Sequence, residues 1–183
     1  MGDWFQTIVD PTISEGEALT RGFRVREWLV AREVLDSTPR DCALNGDGMG
    51  SPPGRRWREA VLDPEPLFLQ LRTNGMAIVA GPRTVFDAGQ GSHQLTCPTC
   101  SRRREFTAPV GEAIGEWWEG GVGTLECAAC GTNSSVVTWS FDPPWGFGRL
   151  GWVFWNWPRL APEFVKQIED FVSTRLVFVA GKL

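Results

Sequence analysis

Apolar residues fall in short runs along this chain, alternating or recurring at helical intervals, with turn-forming residues between the runs. Trp4 to Val9 reads as an opening strand that Asp10-Pro11 ends. Ser14, with Glu17 three residues on, has capping-box spacing. Leu19, Phe23, Val30 and Val34 then recur at near-helical intervals, with Trp28 and Leu29 beside them and Arg21, Arg24, Arg32 and Glu33 off the stripe. This predicts an amphipathic helix to about Leu35. A glycine- and proline-rich loop follows, with a short helical turn near Arg55 to Val61. Leu67 to Arg72, Ala77 to Val79 and Thr84 to Asp87 read as a meander, and Thr73-Asn74-Gly75 is a hairpin signal. Val110 to Glu119 reads as a short helix and Ser135 to Ser140 as a strand. Trp152 and Phe154 alternate with Val153 and Trp155, so both faces of that segment are apolar, as in a strand buried on both sides. Pro162 opens a helix to about Val172, with Phe164, Ile168 and Phe171 on one face. Leu176 to Val179 is the last strand.

This order of elements predicts an α+β fold, a mostly antiparallel sheet packed by two helices on one face. Residues 92–138 read as a lobe inserted into a body formed by 1–91 and 139–183. The length of 183 residues suits one ordinary domain with a small insertion, and a hydrophobic fraction of 42% supports a real core. The formal charge of −4 argues against sequence-independent capture of a phosphate backbone, which needs a basic field. No apolar run approaches the roughly 20 residues that span a bilayer, and the first residues lack the pattern of a signal peptide. A cytoplasmic protein with no membrane partner is expected. All but two of the 18 basic residues are arginine, a bias that fits a GC-rich bacterial genome.

Five cysteines change the picture, because four stand in matched pairs: Cys97-Pro98-Thr99-Cys100 and Cys127-Ala128-Ala129-Cys130. Each CxxC turn points two thiolates at one place, and zinc prefers four such soft ligands in a closed tetrahedron. This constellation resembles a zinc ribbon over roughly a quarter of the chain. The resemblance implies two knuckles on hairpin turns that clamp one structural Zn²⁺ through Cys97, Cys100, Cys127 and Cys130. Gly131 suits the tight turn after the second knuckle, whereas Ser101 stands where the first would take a glycine. With all four positions filled by cysteine, no place is left for a catalytic water. His93, the sole histidine, is expected at an exposed strand position, and Cys42 as a buried free thiol.

The remaining motifs are weak. Gly46-Asp47-Gly48-Met49-Gly50 lacks the strand and helix of a phosphate loop, and Pro52 stands where a calcium loop needs glutamate, so a surface loop is expected. Asp41, Asp47 and Glu116 are the carboxylates an enzyme would have to use. Arg102, Arg103 and Arg104 follow the first knuckle, where they could contact nucleic acid or offset the charge of a tetrathiolate centre. Trp145, Trp152 and Trp155 belong to an aromatic-rich stretch that reads as core or as a partner surface, since tryptophan and arginine anchor interfaces. Together these features predict a non-enzymatic protein-binding module with a structural zinc, similar in general type to toxin-neutralising immunity proteins or adaptors. The alternative is a nucleic-acid-binding ribbon acting through Arg102–Arg104.

Overall fold

A computed structural model describes residues 2–183. Its strands and helices run β1 (Trp4–Asp10), α1 (Glu15–Ala31), β2 (Arg40–Asp41), β3 (Met49–Gly50), β4 (Met76–Phe86), β5 (Gln94–Thr96), β6 (Arg103–Glu105), α2 (Ala108–Trp118), β7 (Thr124–Glu126), β8 (Asn133–Ser135), β9 (Ser140–Asp142), β10 (Gly146–Trp155), α3 (Pro162–Val172) and β11 (Val177–Lys182). The fold is α+β, with about 28% helix and 32% strand. The main sheet has the order β11-β1-β10-β4, antiparallel throughout, and α1 and α3 pack on one face of it. The opening strand and the doubly apolar stretch around Trp152 become its central strands, β1 and β10, with layers packed on both faces. Leu150, Trp152 and Phe154 of β10 join the core under the helices, while Val153 and Trp155 pack on the opposite face with Ala43 and Ala77. The β2–β3 hairpin covers that second face, and its Asn45 Oδ1 accepts a hydrogen bond from Trp155 Nε1 at 2.6 Å.

The first helix buries a different face from the one its large apolar residues suggest. Ala18, Gly22, Val25 and Leu29 face the sheet, whereas Leu19 and Phe23 are 56% and 49% exposed. Small side chains let the helix approach closely: a Cβ on Gly22 would stand 2.7 Å from Ile78 Cγ2. The Gly22 carbonyl also accepts the buried Trp152 indole N–H at 3.2 Å. The helix stops at Ala31 rather than near Leu35. Glu33 turns left-handed at φ 58°, and the N–H groups of Glu33 and Val34 reach back to the Val30 and Leu29 carbonyls, a Schellman closure. The capping-box spacing is realised between side chains only, Ser14 Oγ donating to Glu17 Oε2 at 2.5 Å.

The expected meander also resolves differently. Residues Pro66–Gln70 form a 3-10 turn, not a strand, because Glu65 caps the Leu67 N–H and Pro66 starts the turn. Phe68 plugs inward against Trp57 and Trp157. Thr73–Gly75 is no hairpin: Asn74 is fully buried and donates to the Phe68 and Leu69 carbonyls, tying the turn to the following strand. The two short strands expected at 77–79 and 84–87 are one strand, β4, which bends at Gly81 (φ 145°) opposite a register shift between Gly148 and Leu150. The stretch 135–140 divides into β8, a 3-10 turn at Val136–Thr138 and β9.

That bend lets the far ends of β4 and β10 leave the main sheet and enter the cysteine-bearing lobe. Val85 and Phe147 pair there and join a second core with Leu95, Val110, Leu125, Val136, Trp139 and Phe141. Strand β9 pairs with β5 in a three-stranded sheet of order β6-β5-β9, and β7 pairs with β8. Arg83 of β4 donates to the carbonyls of Trp117 and Gly121 at 2.8 and 2.6 Å, clamping the end of α2 to the strand.

The close approach of α1 is open to test. Gly22→Val should destabilise the protein by about 1–3 kcal/mol, the usual cost of overpacking, whereas Phe23→Ser should stay within about 0.5 kcal/mol of wild type. Urea denaturation curves of the two variants provide the comparison.

Candidate metal centre

Both knuckles sit at the tips of antiparallel hairpins and share the same two closing hydrogen bonds. In the first, between β5 and β6, the Cys97 N–H reaches the Arg102 carbonyl at 3.0 Å and the Ser101 N–H reaches the Cys97 carbonyl at 3.1 Å. In the second, between β7 and β8, Cys127 reaches Thr132 at 3.0 Å and Gly131 reaches Cys127 at 2.7 Å. The residue after each second cysteine is left-handed, Ser101 at φ 58° and Gly131 at φ 69°. Ser101 thus takes the conformation that glycine adopts without strain, which is the departure visible in the sequence.

The two tips face each other. All four Sγ atoms lie within 4.8 Å of one another, with Cys97–Cys130 at 4.0 Å and Cys100–Cys127 at 3.7 Å. A tetrahedron with metal–sulfur bonds of about 2.3 Å has sulfur–sulfur edges of about 3.8 Å, so the spacing fits one four-thiolate ion. Cys97 and Cys127 are buried against the lobe core, Cys100 is half-buried and Cys130 is exposed. The four cysteines are therefore positioned to hold a metal ion at the lobe surface.

The surroundings prepare these sulfurs unequally. Hydrogen bonds from the Thr132 side chain and backbone hold the Cys130 thiol down to about 6. The backbone N–H of Cys100 leads a set of hydrogen bonds that lower Cys97. At Cys100 the Arg102 backbone N–H acts to lower the value, but burial and the neighbouring thiols outweigh it and push the group up to about 11. The pattern suits a centre in which some thiols are ionised early and the last protons are displaced by a cation.

The other predicted residues are placed as follows. His93 does not join the sulfurs and is not fully exposed. It is half-buried, with Nε2 on the Gly89 carbonyl at 3.1 Å and Nδ1 accepting from Trp145 Nε1 at 3.3 Å. Trp145 is half-buried and stacks on Phe141 at 4.8 Å. Trp152 and Trp155 are 0% and 5% exposed, so both are core residues and neither offers its indole to a partner. Arg104 is held within the lobe by the Glu126 carbonyl at 3.1 Å and Thr107 Oγ1 at 3.0 Å. Arg102 and Arg103 are exposed, the latter 4.0 Å from Asp142. The carboxylates have local structural partners: Asp41 pairs with Arg72, Asp47 accepts from the Met49 N–H, and Glu116 accepts from the Thr124 N–H. Cys42 is fully buried, and burial pushes its thiol up. No helix of the described residues is long and apolar enough to cross a membrane. The sequence reading missed Arg83 and Thr132. Only the fold brings Arg83 to α2, whereas Thr132 stands two residues after Cys130, where a hydroxyl next to a knuckle was a readable signal.

No family model, curated protein or solved structure matches this chain.

Cys127→Ser should abolish stoichiometric metal binding and loosen residues of the lobe core, read by elemental analysis and by tryptophan fluorescence. Protons compete with metal for each sulfur. Above about 6 Cys130 is already ionised and releases no proton on binding; below that value it must. Apparent log affinity plotted against pH should therefore steepen by one proton as pH falls through about 6, measured with a chromophoric competitor.

Proposed function

We propose that this protein is a non-enzymatic protein-binding module whose lobe is stapled by one structural Zn²⁺. The four-thiolate donor set favours zinc, and four filled positions leave no site for substrate or water on the ion. The observation that carries the binding reading is a set of exposed leucines flanking the Phe68 plug. Leu62, Leu67, Leu69 and Leu71 stand 43%, 63%, 40% and 47% exposed within one short segment. The inward plug of Phe68 forces its neighbours outward, and the 3-10 turn holds them there. Several large apolar side chains exposed within ten residues support an interaction surface more than single scattered ones do. The immunity-type role suggested by size and acidity rests on no particular residue and adds nothing to this reading.

Leu67→Glu with Leu71→Glu should leave the denaturation midpoint within about 0.5 kcal/mol of wild type while removing the partner captured from cells that express the protein. Retention of the same partner by the double variant would overturn the assignment of this surface.

The second reading is nucleic-acid binding at the first knuckle, favoured by the exposure of Arg102 and Arg103 beside it. It has less support than the first, since Arg104 is engaged within the lobe and the chain is acidic. If it holds, RNA or DNA binding should fall steeply with salt and vanish in Arg102→Ala with Arg103→Ala, as read by fluorescence anisotropy.

A further inference from the structure

The main sheet ends in a strand, β11, whose outer side is bridged at Lys182 by Gly89 and is open before it. Just past β11 the Leu183 N–H donates to the Asp3 carbonyl of the neighbouring chain segment, which fixes the alternation of the ladder. Val177, Val179 and Gly181 then bond inward to β1, and the N–H and C=O groups of Phe178, Ala180 and Lys182 point away from the sheet. Lys182 is met by Gln90, whose N–H reaches its carbonyl at 3.3 Å. Phe178 and Ala180 have no such neighbour among the described residues. An unpaired run of this kind is a template for another strand.

Beside this edge lies a groove of about 710 Å³ between β11 and α3, lined by Leu160, Pro162, Val165 and Phe178 and bordered by Glu163 and Lys166. Unpaired backbone on one wall and apolar side chains on the other are the two components of strand-addition recognition, in which main-chain hydrogen bonds hold a peptide and alternate side chains enter pockets. Charge selects among occupants. In the groove, Lys166 is engaged by Glu169 and Asp170 and Glu163 balances Arg159, but the edge stretch from Arg175 to Lys182 carries two exposed cations and no carboxylate. A second copy pairing antiparallel about Val179 would set Arg175 of one chain close to Lys182 of the other, cation against cation. An extended segment with acidic residues at its ends meets these cations favourably.

We propose that the β11 edge and the α3 groove bind an extended peptide segment of a partner protein, apolar at alternate central positions and acidic at its ends, as a fifth strand of the main sheet. The proposal rests on the protein-binding reading but uses a surface other than the Leu67–Leu71 segment. The probes are short capped peptides with valine at alternate central positions and glutamate at both ends, followed by fluorescence anisotropy and amide hydrogen exchange on the metal-loaded protein. Saturable binding should protect the Phe178 and Ala180 amides. Backbone N-methylation of the peptide, or Ala180→Pro, should weaken it roughly tenfold or more, the loss expected from one or two hydrogen bonds. Proline at an outward-facing edge position leaves the β1 ladder intact. Arg175→Glu with Lys182→Glu, or lysine in place of the peptide's glutamates, should also weaken it, and Leu67→Glu with Leu71→Glu should not. No saturable binding, or binding indifferent to N-methylation, would overturn the proposal. So would concentration-dependent protection of the same amides without peptide, which would assign the edge to a second copy. Peptide binding that survives loss of the leucine surface while partner capture does not would separate this site from the one proposed above.

Discussion

Four sulfurs within 4.8 Å of one another are the constraint on which the lobe depends. As thiolates they repel, and as thiols they make only weak hydrogen bonds, so their convergence is favourable when a cation binds all four. Around them the lobe has a small core, and two of its buried residues, Cys97 and Cys127, belong to the sulfur cluster itself. A core of that size does not hold a fold alone. The lobe is nevertheless not a separate bead. The β4–β10 pair runs from the main sheet into it, so Phe147 and Val85 pack in the second core while Trp152 and Ile78 of the same strands pack in the first. A cation bound by the four sulfurs would secure the distal knuckles, and the strand pair secures their base.

Much of this was legible from residue pattern. Strong periodicity placed the opening strand, the doubly buried strand around Trp152, the Pro162 helix and the closing strand, and CxxC spacing identified the four cysteines that converge. The failures share a physical cause, which is that tertiary packing chose among local options. Near-helical spacing of Leu19 and Phe23 suggested the buried face of α1, but the sheet needs a close approach that only Ala18 and Gly22 permit. The run Leu67 to Arg72 has strand composition, yet one residue, Phe68, is pulled inward between two tryptophans and the rest follow as a 3-10 turn. Two β4 fragments looked separate because Gly81-Pro82 reads as a break, whereas in the fold it is a bend within one strand.

The same logic relocates the surfaces. Trp152 and Trp155 invite an interface reading by residue type, but each indole N–H finds an internal acceptor and each ring fills a core. The exposed apolar groups are instead leucines beside the Phe68 plug, and the open stretch of sheet edge is at Phe178 and Ala180, before the Gly89–Lys182 bridge. Composition could not reveal either, since both follow from which side of a turn or ladder a residue happens to face.

Hydrogen exchange on metal-loaded and chelated protein tests the central claim most directly. The account predicts that chelation deprotects Leu95, Leu125 and the knuckle amides Cys97 and Cys127 while those of β1, β10 at Trp152 and the inward side of β11 keep their protection. Protection of the knuckle amides unchanged by chelation, or loss of protection through both cores at once, would contradict it.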